Sequence, residues 1–355
     1  MMHPIAHIGA MAPYALADLG PEGAISMAQN ESAFAASPMA LAAGQAAVGQ
    51  GALYPDPDWT DLRAAIAQEH GLDVARILCG AGSMELIGAL IAAYSGPGDE
   101  VLGSQYGYAY VATACQLSQA RYVTAPEPDL MVSPTEILAR VNPATRIVFV
   151  CNPGNPTGTV IANADLVMLR RDLPDDVLLV IDQAYGEFAD LQDDPECLFD
   201  LVAQGNTIIT RSFSKAYALA GCRVGWAYAP DQVCVEIRKI LNPNNVSIVS
   251  QQMARGAVQD QEYLSEVVQK TSEIRDAFAA QCRQLGLDVP DSKTNFVLMR
   301  FASVEEARRA DAALRDNGLM MRGMGGYGLS DCLRATICEK PVMDRALDVL
   351  KGVLT

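Results

Sequence analysis

The chain has 355 residues, half of them apolar, and a formal net charge of −16. That length supports a large core and two domains, and the acidic balance argues against nucleic acid or an anionic membrane surface as partner. Three histidines (His3, His7 and His70) and nine scattered cysteines without a C-x-x-C pair argue against a Ser-His-Asp site, a metal site or a disulfide scaffold, and fit reduced thiols in a cytoplasm.

In chain order, residues 1–30 read as an arm containing Ala, Gly and Pro. No Lys or Arg precedes Arg63, so a secretory leader is not expected. An Ala-rich stretch follows around 33–48, then Tyr54-Pro55-Asp56, whose Pro and Asp content favours a turn. Ile77 to Glu85 leads into a helical run, Leu86 to Tyr94. The glycines there mimic a dinucleotide fingerprint, but Glu85 stands where the third Gly belongs. The other reading is a phosphate cup: Gly82 lets the backbone approach, and amides near Ser83 and Met84 point out of a helix N-terminus. Arg146 to Cys151 reads as a buried parallel strand ended by the turn Asn152-Pro153-Gly154-Asn155-Pro156-Thr157-Gly158. Val177 to Ile181 is a second such strand, and Asp182 ends it. Ser212-Phe213-Ser214-Lys215 comes next, with Arg223 shortly after, and Arg223 to Ala229 reads as one more strand. Asn242 to Ser247 marks a boundary before a long helix reaching about Gly286. From Thr294 onward strands and helices alternate; Gly323 to Gly328 lies between two strand-like runs and reads as a loop. No apolar run reaches the length of a membrane span.

Lys215 is the first of only six lysines, against 20 arginines. A lysine amine beside the hydroxyls of Ser212 and Ser214, followed by Arg223, suits Schiff-base chemistry with an aldehyde cofactor, whose phosphate the hydroxyls and guanidinium hold. Asn155, Asp182 and Lys215 recur about one βαβ unit apart, each at the carboxyl end of a strand, where open parallel sheets bind ligands. A carboxylate such as Asp182 can keep a cofactor ring nitrogen protonated and make the ring an electron sink.

Together these motifs resemble the fold type I pyridoxal-phosphate (PLP) aminotransferases of class I/II, and most closely the histidinol-phosphate aminotransferase-like subfamily. The lysine stretch matches every fixed position of S-x-S-K-x-x-x-L-x-G-x-R-x-G, and the turn after Cys151 matches N-P-x-N-P-T-G. The resemblance implies that Lys215 carries PLP and that Asp182 pairs with the pyridinium. It implies that Asn155 and Tyr185 contact the phenolic oxygen, and that Gly82, Ser83, Met84, Ser212, Ser214 and Arg223 hold the phosphate. Tyr54 matches the tyrosine that reaches the phosphate of the other subunit, which implies a homodimer. Tyr14 matches a residue near the substrate, and Asn30-Glu31-Ser32 resembles the family's N-E-S/N stretch. Arg334, in Leu333-Arg334, matches the arginine for a substrate carboxylate, and Arg322 would face the distal group, a phosphate in histidinol phosphate. Tyr106, Tyr108 and Tyr110 compete to stack on the ring, with Tyr110 or Tyr106 favoured.

The chain departs from the family at several places: Gln183 for Glu, Met84 for Asp, Asn244 for Tyr, and Cys338-Glu339 beyond Arg334. If Glu339 pointed inward it would disfavour a phosphate. The expected fold is α/β, a large domain with a mostly parallel sheet flanked by helices plus a small α/β domain. Residues 1–30 join the small domain, 31–245 form the PLP domain and 246–355 the small domain. The expected activity is transfer of an amino group from a histidinol phosphate-like donor to 2-oxoglutarate by a ping-pong route in the cytoplasm. The alternatives are an aromatic aminotransferase or a decarboxylase of the threonine-phosphate type.

Overall fold

The computed structural model describes residues 2–13, 18, 20–190 and 193–354. Among the described residues, eleven strands form two sheets. They are β1 (Ile25–Met27), β2 (Ile77–Gly80), β3 (Glu100–Ser104), β4 (Arg121–Ala125), β5 (Thr145–Cys151), β6 (Leu178–Asp182), β7 (Thr207–Ser212), β8 (Gly225–Tyr228), β9 (Phe296–Arg300), β10 (Leu319–Met324) and β11 (Leu329–Thr336).

The large sheet runs β2-β8-β7-β6-β5-β3-β4. Its pairs are parallel except at β8, which lies antiparallel to both β2 and β7. The central strands β6 and β7 are buried along their whole length. Burial on both faces demands near-continuous apolar runs, which is why Leu178 to Ile181 shows no alternation. Helices such as Ser83–Tyr94, Asn163–Asp172 and Glu196–Gln204 supply Leu86, Leu166 and Val202 to the same buried cluster. Of the two edge strands, β4 is the more exposed and β2 is buried throughout.

The small sheet runs β1-β10-β11-β9. β1 comes from the N-terminal arm and pairs parallel with β10, so Met27 joins Val297, Met321 and Leu347 in a second buried cluster. Where the sequence suggests one long helix there are two, Ile248–Val258 and Gln261–Gln284, because they serve different cores. Ala254, Ala257 and Val258 pack into the large cluster; Phe278, Ala279 and Cys282 pack into the small one. Asp260 leaves helical geometry between them, with φ −109° and ψ 61°.

Candidate active site

β5 and β6 end level, and β7 runs on past them to Ser212. Cys151 pairs in register with Asp182, and Asp182 with Thr210. Asp182 is buried; its Oδ1 accepts from Thr210 Oγ1 at 2.8 Å, and its Oδ2 meets the Cys151 thiol at 3.9 Å. Burial pushes its pKa up to about 6 against the pull of these hydrogen bonds. A carboxylate held at that cost gains much from a cationic partner.

Lys215 sits in the segment that leaves β7. Its Nζ donates to the carbonyl oxygens of Asn30 at 3.0 Å and Gln29 at 3.3 Å, and lies 5.8 Å from the centre of the Tyr185 ring. Burial of the amine, aided by Arg334 and Arg223, lowers its pKa to about 8. The amine therefore sheds its proton far more readily than a solvated lysine, as a nucleophile and base must.

Asn30 gathers this end of the site. It adopts φ 55°, a left-handed conformation that Asn tolerates better than most residues. Its Nδ2 donates to Tyr185 Oη at 2.8 Å, so the Tyr185 proton is left to be given elsewhere. Its backbone N–H donates to Thr336 Oγ1 at 2.9 Å, and Asn295 Nδ2 donates to its carbonyl at 3.0 Å. Across the site, Arg334 Nη1 donates to Asn155 Oδ1 at 2.6 Å. A guanidinium has no acceptor, so it fixes the Asn155 amide with oxygen toward Arg334 and leaves Nδ2 for another acceptor. Arg334 also donates to the Ala28 carbonyl at 2.8 Å and lies 5.1 Å above the Phe296 ring.

The opposite wall is built for an anion. Arg223, at φ 50°, places Nη1 3.4 Å from Ser214 Oγ and 2.9 Å from the Ala220 carbonyl. Ser212 Oγ accepts from the Ser214 N–H at 3.1 Å. The helix Ser83–Tyr94 opens here with Gly82 as its N-cap. Gly82 has φ 82°, and a Cβ there would come within 2.6 Å of Arg223 Nη2. Guanidinium, two hydroxyls and a helix N-terminus thus converge where only glycine leaves room. One cavity of about 480 Å³ joins both walls, lined by Lys215, Asp182, Tyr185, Asn155, Ser212, Ser214, Arg223, Ser83, Met84, Arg322 and Arg334.

The model of the family "aminotransferase class I and II" matches residues 22–350. The chain belongs to that family. It is a PLP-dependent aminotransferase of fold type I. It is 42% identical over 320 residues to the histidinol-phosphate aminotransferase of Paramagnetospirillum magneticum, covering 90% of this chain and 88% of that one. It is 38% identical over 357 residues to the enzyme of the same name from Hyphomonas neptunium, covering 99% and 97%. The solved histidinol-phosphate aminotransferase of Sinorhizobium meliloti, in complex with pyridoxal-5'-phosphate, superposes with a TM-score of 0.91 at 30% identity, over 100% of this chain and 98% of that one. The residues present fit the cofactor: the glycine-walled anion seat matches its phosphate, and the buried Asp182 matches its ring nitrogen.

The expected tyrosines fall in three places. Tyr110 does not line the aminotransferase cavity. It opens the helix Tyr110–Ser118, and its hydroxyl packs against Gly88 of the neighbouring helix. Tyr108, two residues earlier, is the tyrosine of the three that lines the cavity. Tyr54 is 86% exposed and does not line the cavity of its own chain. Tyr14 lies outside the described residues. Of the departures from the family, Asn244 and Glu339 are exposed and line no part of the cavity. Gln183 is buried beneath the site and accepts from Arg211 at 2.9 and 3.2 Å.

The structure adds Asn30, Cys151 and Thr210, which motif reasoning left out of the site. Each acts through a contact distant in sequence, Asn30 to Lys215 across 185 residues. The only available hint was the resemblance at Asn30-Glu31-Ser32.

Proposed function

We propose that this aminotransferase takes its amino group from a phosphorylated primary amine of the histidinol phosphate type and passes it to 2-oxoglutarate in a ping-pong cycle. The observation that carries this reading is the pair Arg322 and Arg334, register partners across β10 and β11, both lining the cavity. Two guanidinium groups suit a phosphate in one half-reaction and a dicarboxylate in the other. Glu339 and Asn244 lie outside the cavity, so neither opposes a phosphate there. The names of the relatives point to the same donor.

PLP, when bound, supplies the carbonyl that takes up the amino group and the ring that accepts the electron pair from Cα. Lys215 holds the cofactor through Nζ and, once released by the donor, moves the proton from the substrate Cα. Its lowered pKa suits both tasks. Asp182 keeps the ring nitrogen protonated, with Thr210 orienting its carboxylate. Asn155 Nδ2 and the Tyr185 hydroxyl donate to the phenolic oxygen. Tyr108 takes the stacking place on the ring. Ser212, Ser214, Arg223 and the amides at Ser83 and Met84 hold the phosphate, and Gly82 keeps the space open. Arg334 and Arg322 bind the charged end of the substrate.

The active unit in this reading is a homodimer in which Tyr54 reaches the neighbouring site, and nine free cysteines fit a cytoplasmic setting. In this reading the boundary falls after Val258 rather than at residue 245, because the helix Ile248–Val258 packs into the large cluster, and the N-terminal strand with the segment beyond Val258 makes up the small domain. A donor screen with 2-oxoglutarate tests the activity, following glutamate formation. Histidinol phosphate is expected to exceed phenylalanine about tenfold or more in kcat/KM, a difference of ~1.4 kcal/mol. A clear preference for phenylalanine, or carbon dioxide release without glutamate, sinks the proposal.

A further inference from the structure

Behind the phosphate wall lies a polar relay that none of the catalytic roles uses. Glu85 Oε2 accepts from the Ala81 N–H and from Asn245 Nδ2, both at 2.6 Å. Asn245 Nδ2 also reaches the Cys79 carbonyl at 3.3 Å. Asn245 therefore spans the turn, touching the strand before it and the helix after it. Its oxygen accepts from Trp59 Nε1 at 3.1 Å. An indole N–H only donates, so Trp59 dictates which way the Asn245 amide points: oxygen to Trp59, nitrogen to Glu85.

Trp59 is itself fixed. It is 2% exposed, caps the helix Thr60–His70 with φ 50°, and carries the Arg238 guanidinium 5.0 Å above its ring. The relay reaches one amide short of the anion seat. A glutamate at the third helical position commonly bonds the cap residue's own N–H. Here Glu85 bonds the N–H of Ala81, the residue before the cap, so it consumes an outlying donor. The amides of Ser83 and Met84 have no carbonyl partner within the helix, as first-turn amides never do. Ser83 and Met84 line the same cavity as Arg223.

We propose that Glu85, Asn245 and Trp59 are positioning residues that hold the Ala81–Gly82–Ser83 turn in the shape that receives the cofactor phosphate. This role rests on the phosphate assignment made above. None of the three touches the phosphate. Each acts by fixing where the Ser83 and Met84 amides and the space at Gly82 lie. The relay also ties that turn to the loop bearing Tyr54, since Trp59 ends that loop.

The test compares affinity of the apoenzyme for PLP and for pyridoxal, which lacks the phosphate, by titration against intrinsic fluorescence. Asn245→Ala and Glu85→Leu are expected to weaken PLP tenfold or more while leaving pyridoxal within about twofold, a loss of ~1.4 kcal/mol or more confined to the phosphate. Glu85→Gln keeps an acceptor oxygen and should restore most of the PLP affinity. Trp59→Phe removes the N–H together with part of the indole's bulk while keeping an aromatic ring under Arg238, and is expected to give a loss of the same kind; it serves if Asn245→Ala does not fold. Equal weakening of both ligands means a general structural defect and overturns the proposal, as does unchanged PLP affinity. Arg223→Ala separates the two levels. If Arg223→Ala weakens PLP and Asn245→Ala does not, the relay alone fails; if Arg223→Ala has no effect, the phosphate assignment fails with it.

Discussion

Arg322 and Arg334 stand directly opposite each other in the antiparallel pairing of β10 with β11. Like charges in that relation destabilise a sheet. Arg334 is offset by Asn155, the Ala28 carbonyl and the Phe296 ring. An anion entering between them would relieve that repulsion. Arg322→Ala should lower kcat/KM for histidinol phosphate about tenfold or more, ~1.4 kcal/mol or above. Phenylalanine, with no distal charge, should change little. Steady-state kinetics on both donors decides it. An equal loss on the two would show that Arg322 does not read the distal group.

Lys215→Ala should abolish steady turnover and the visible absorbance that marks the lysine-bound cofactor. The amine lies between the carbonyls of Asn30 and Gln29 and next to Tyr185, in the cavity that also holds Asp182. Among the described residues that line that cavity, no other supplies an amine. A yellow variant with a borohydride-reducible link to another lysine would refute the assignment.

Asp182 offers a test in the cofactor-free protein. Its folded pKa, about 6, lies above the ordinary value of 3.8. The folded state therefore holds this proton more tightly than the unfolded chain. The burden of the buried charge is absent below about 3.8, grows as pH rises through that window and is complete above about 6. Asparagine keeps an acceptor for Thr210 without the charge. Apo Asp182→Asn should be more stable than wild type at pH 8, by on the order of 2–3 kcal/mol, with the gap closing toward pH 4. With PLP bound the same variant should abstract the substrate proton far more slowly, because the amide cannot hold the ring nitrogen protonated. Denaturant melts at the two pH values and single-turnover kinetics measure the two halves. Equal apo stability at pH 8 would mean that the carboxylate carries no such burden.

The parts of the site legible in the sequence are those that hang on a strand end. Asn155 and Asp182 each follow an apolar run, and runs buried on two faces are hard to mistake, whereas Lys215 follows the mixed strand Thr207–Ser212 and was legible from its Ser-x-Ser-Lys motif. The glycine turn at Gly82 was legible because positive φ and a close approach both demand glycine. The hub at Asn30 was not, since its meaning depends on Tyr185, Thr336 and Asn295, which the fold brings together from afar. The choice among three tyrosines was not legible either. They lie within five residues, and only the start of the helix at Tyr110 turns one toward Gly88 and leaves Tyr108 at the cavity. The break at Asp260 escaped because both flanking segments are helical by composition; the two cores, not local preference, separate them.

Tyr54 is 86% exposed, yet the turn that carries it is well tied down. Asp56 accepts from the Asp58 and Thr60 amides at 2.9 and 2.8 Å, and Trp59 is anchored to Asn245. Leu53 and Val48 nearby are 68% and 65% exposed. A rigid turn that holds an aromatic ring and apolar neighbours in water marks an interaction surface. The expected occupant is a second copy, with Tyr54 entering its site. Sedimentation under assay conditions should show a dimer. Mixed dimers test the crossing itself. One subunit carries Lys215→Ala and the other Tyr54→Ala. If Tyr54 crosses, the subunit that keeps Lys215 receives Tyr54 from its partner, so one complete site is rebuilt and about half the wild-type activity per dimer returns. If Tyr54 serves its own chain, neither site is complete and the mixed dimer is weaker per dimer than the Tyr54→Ala parent, with one weak site in place of two. Recovery of PLP affinity in one site per dimer, read by titration, should accompany the recovered activity, because Tyr54 is assigned to the phosphate.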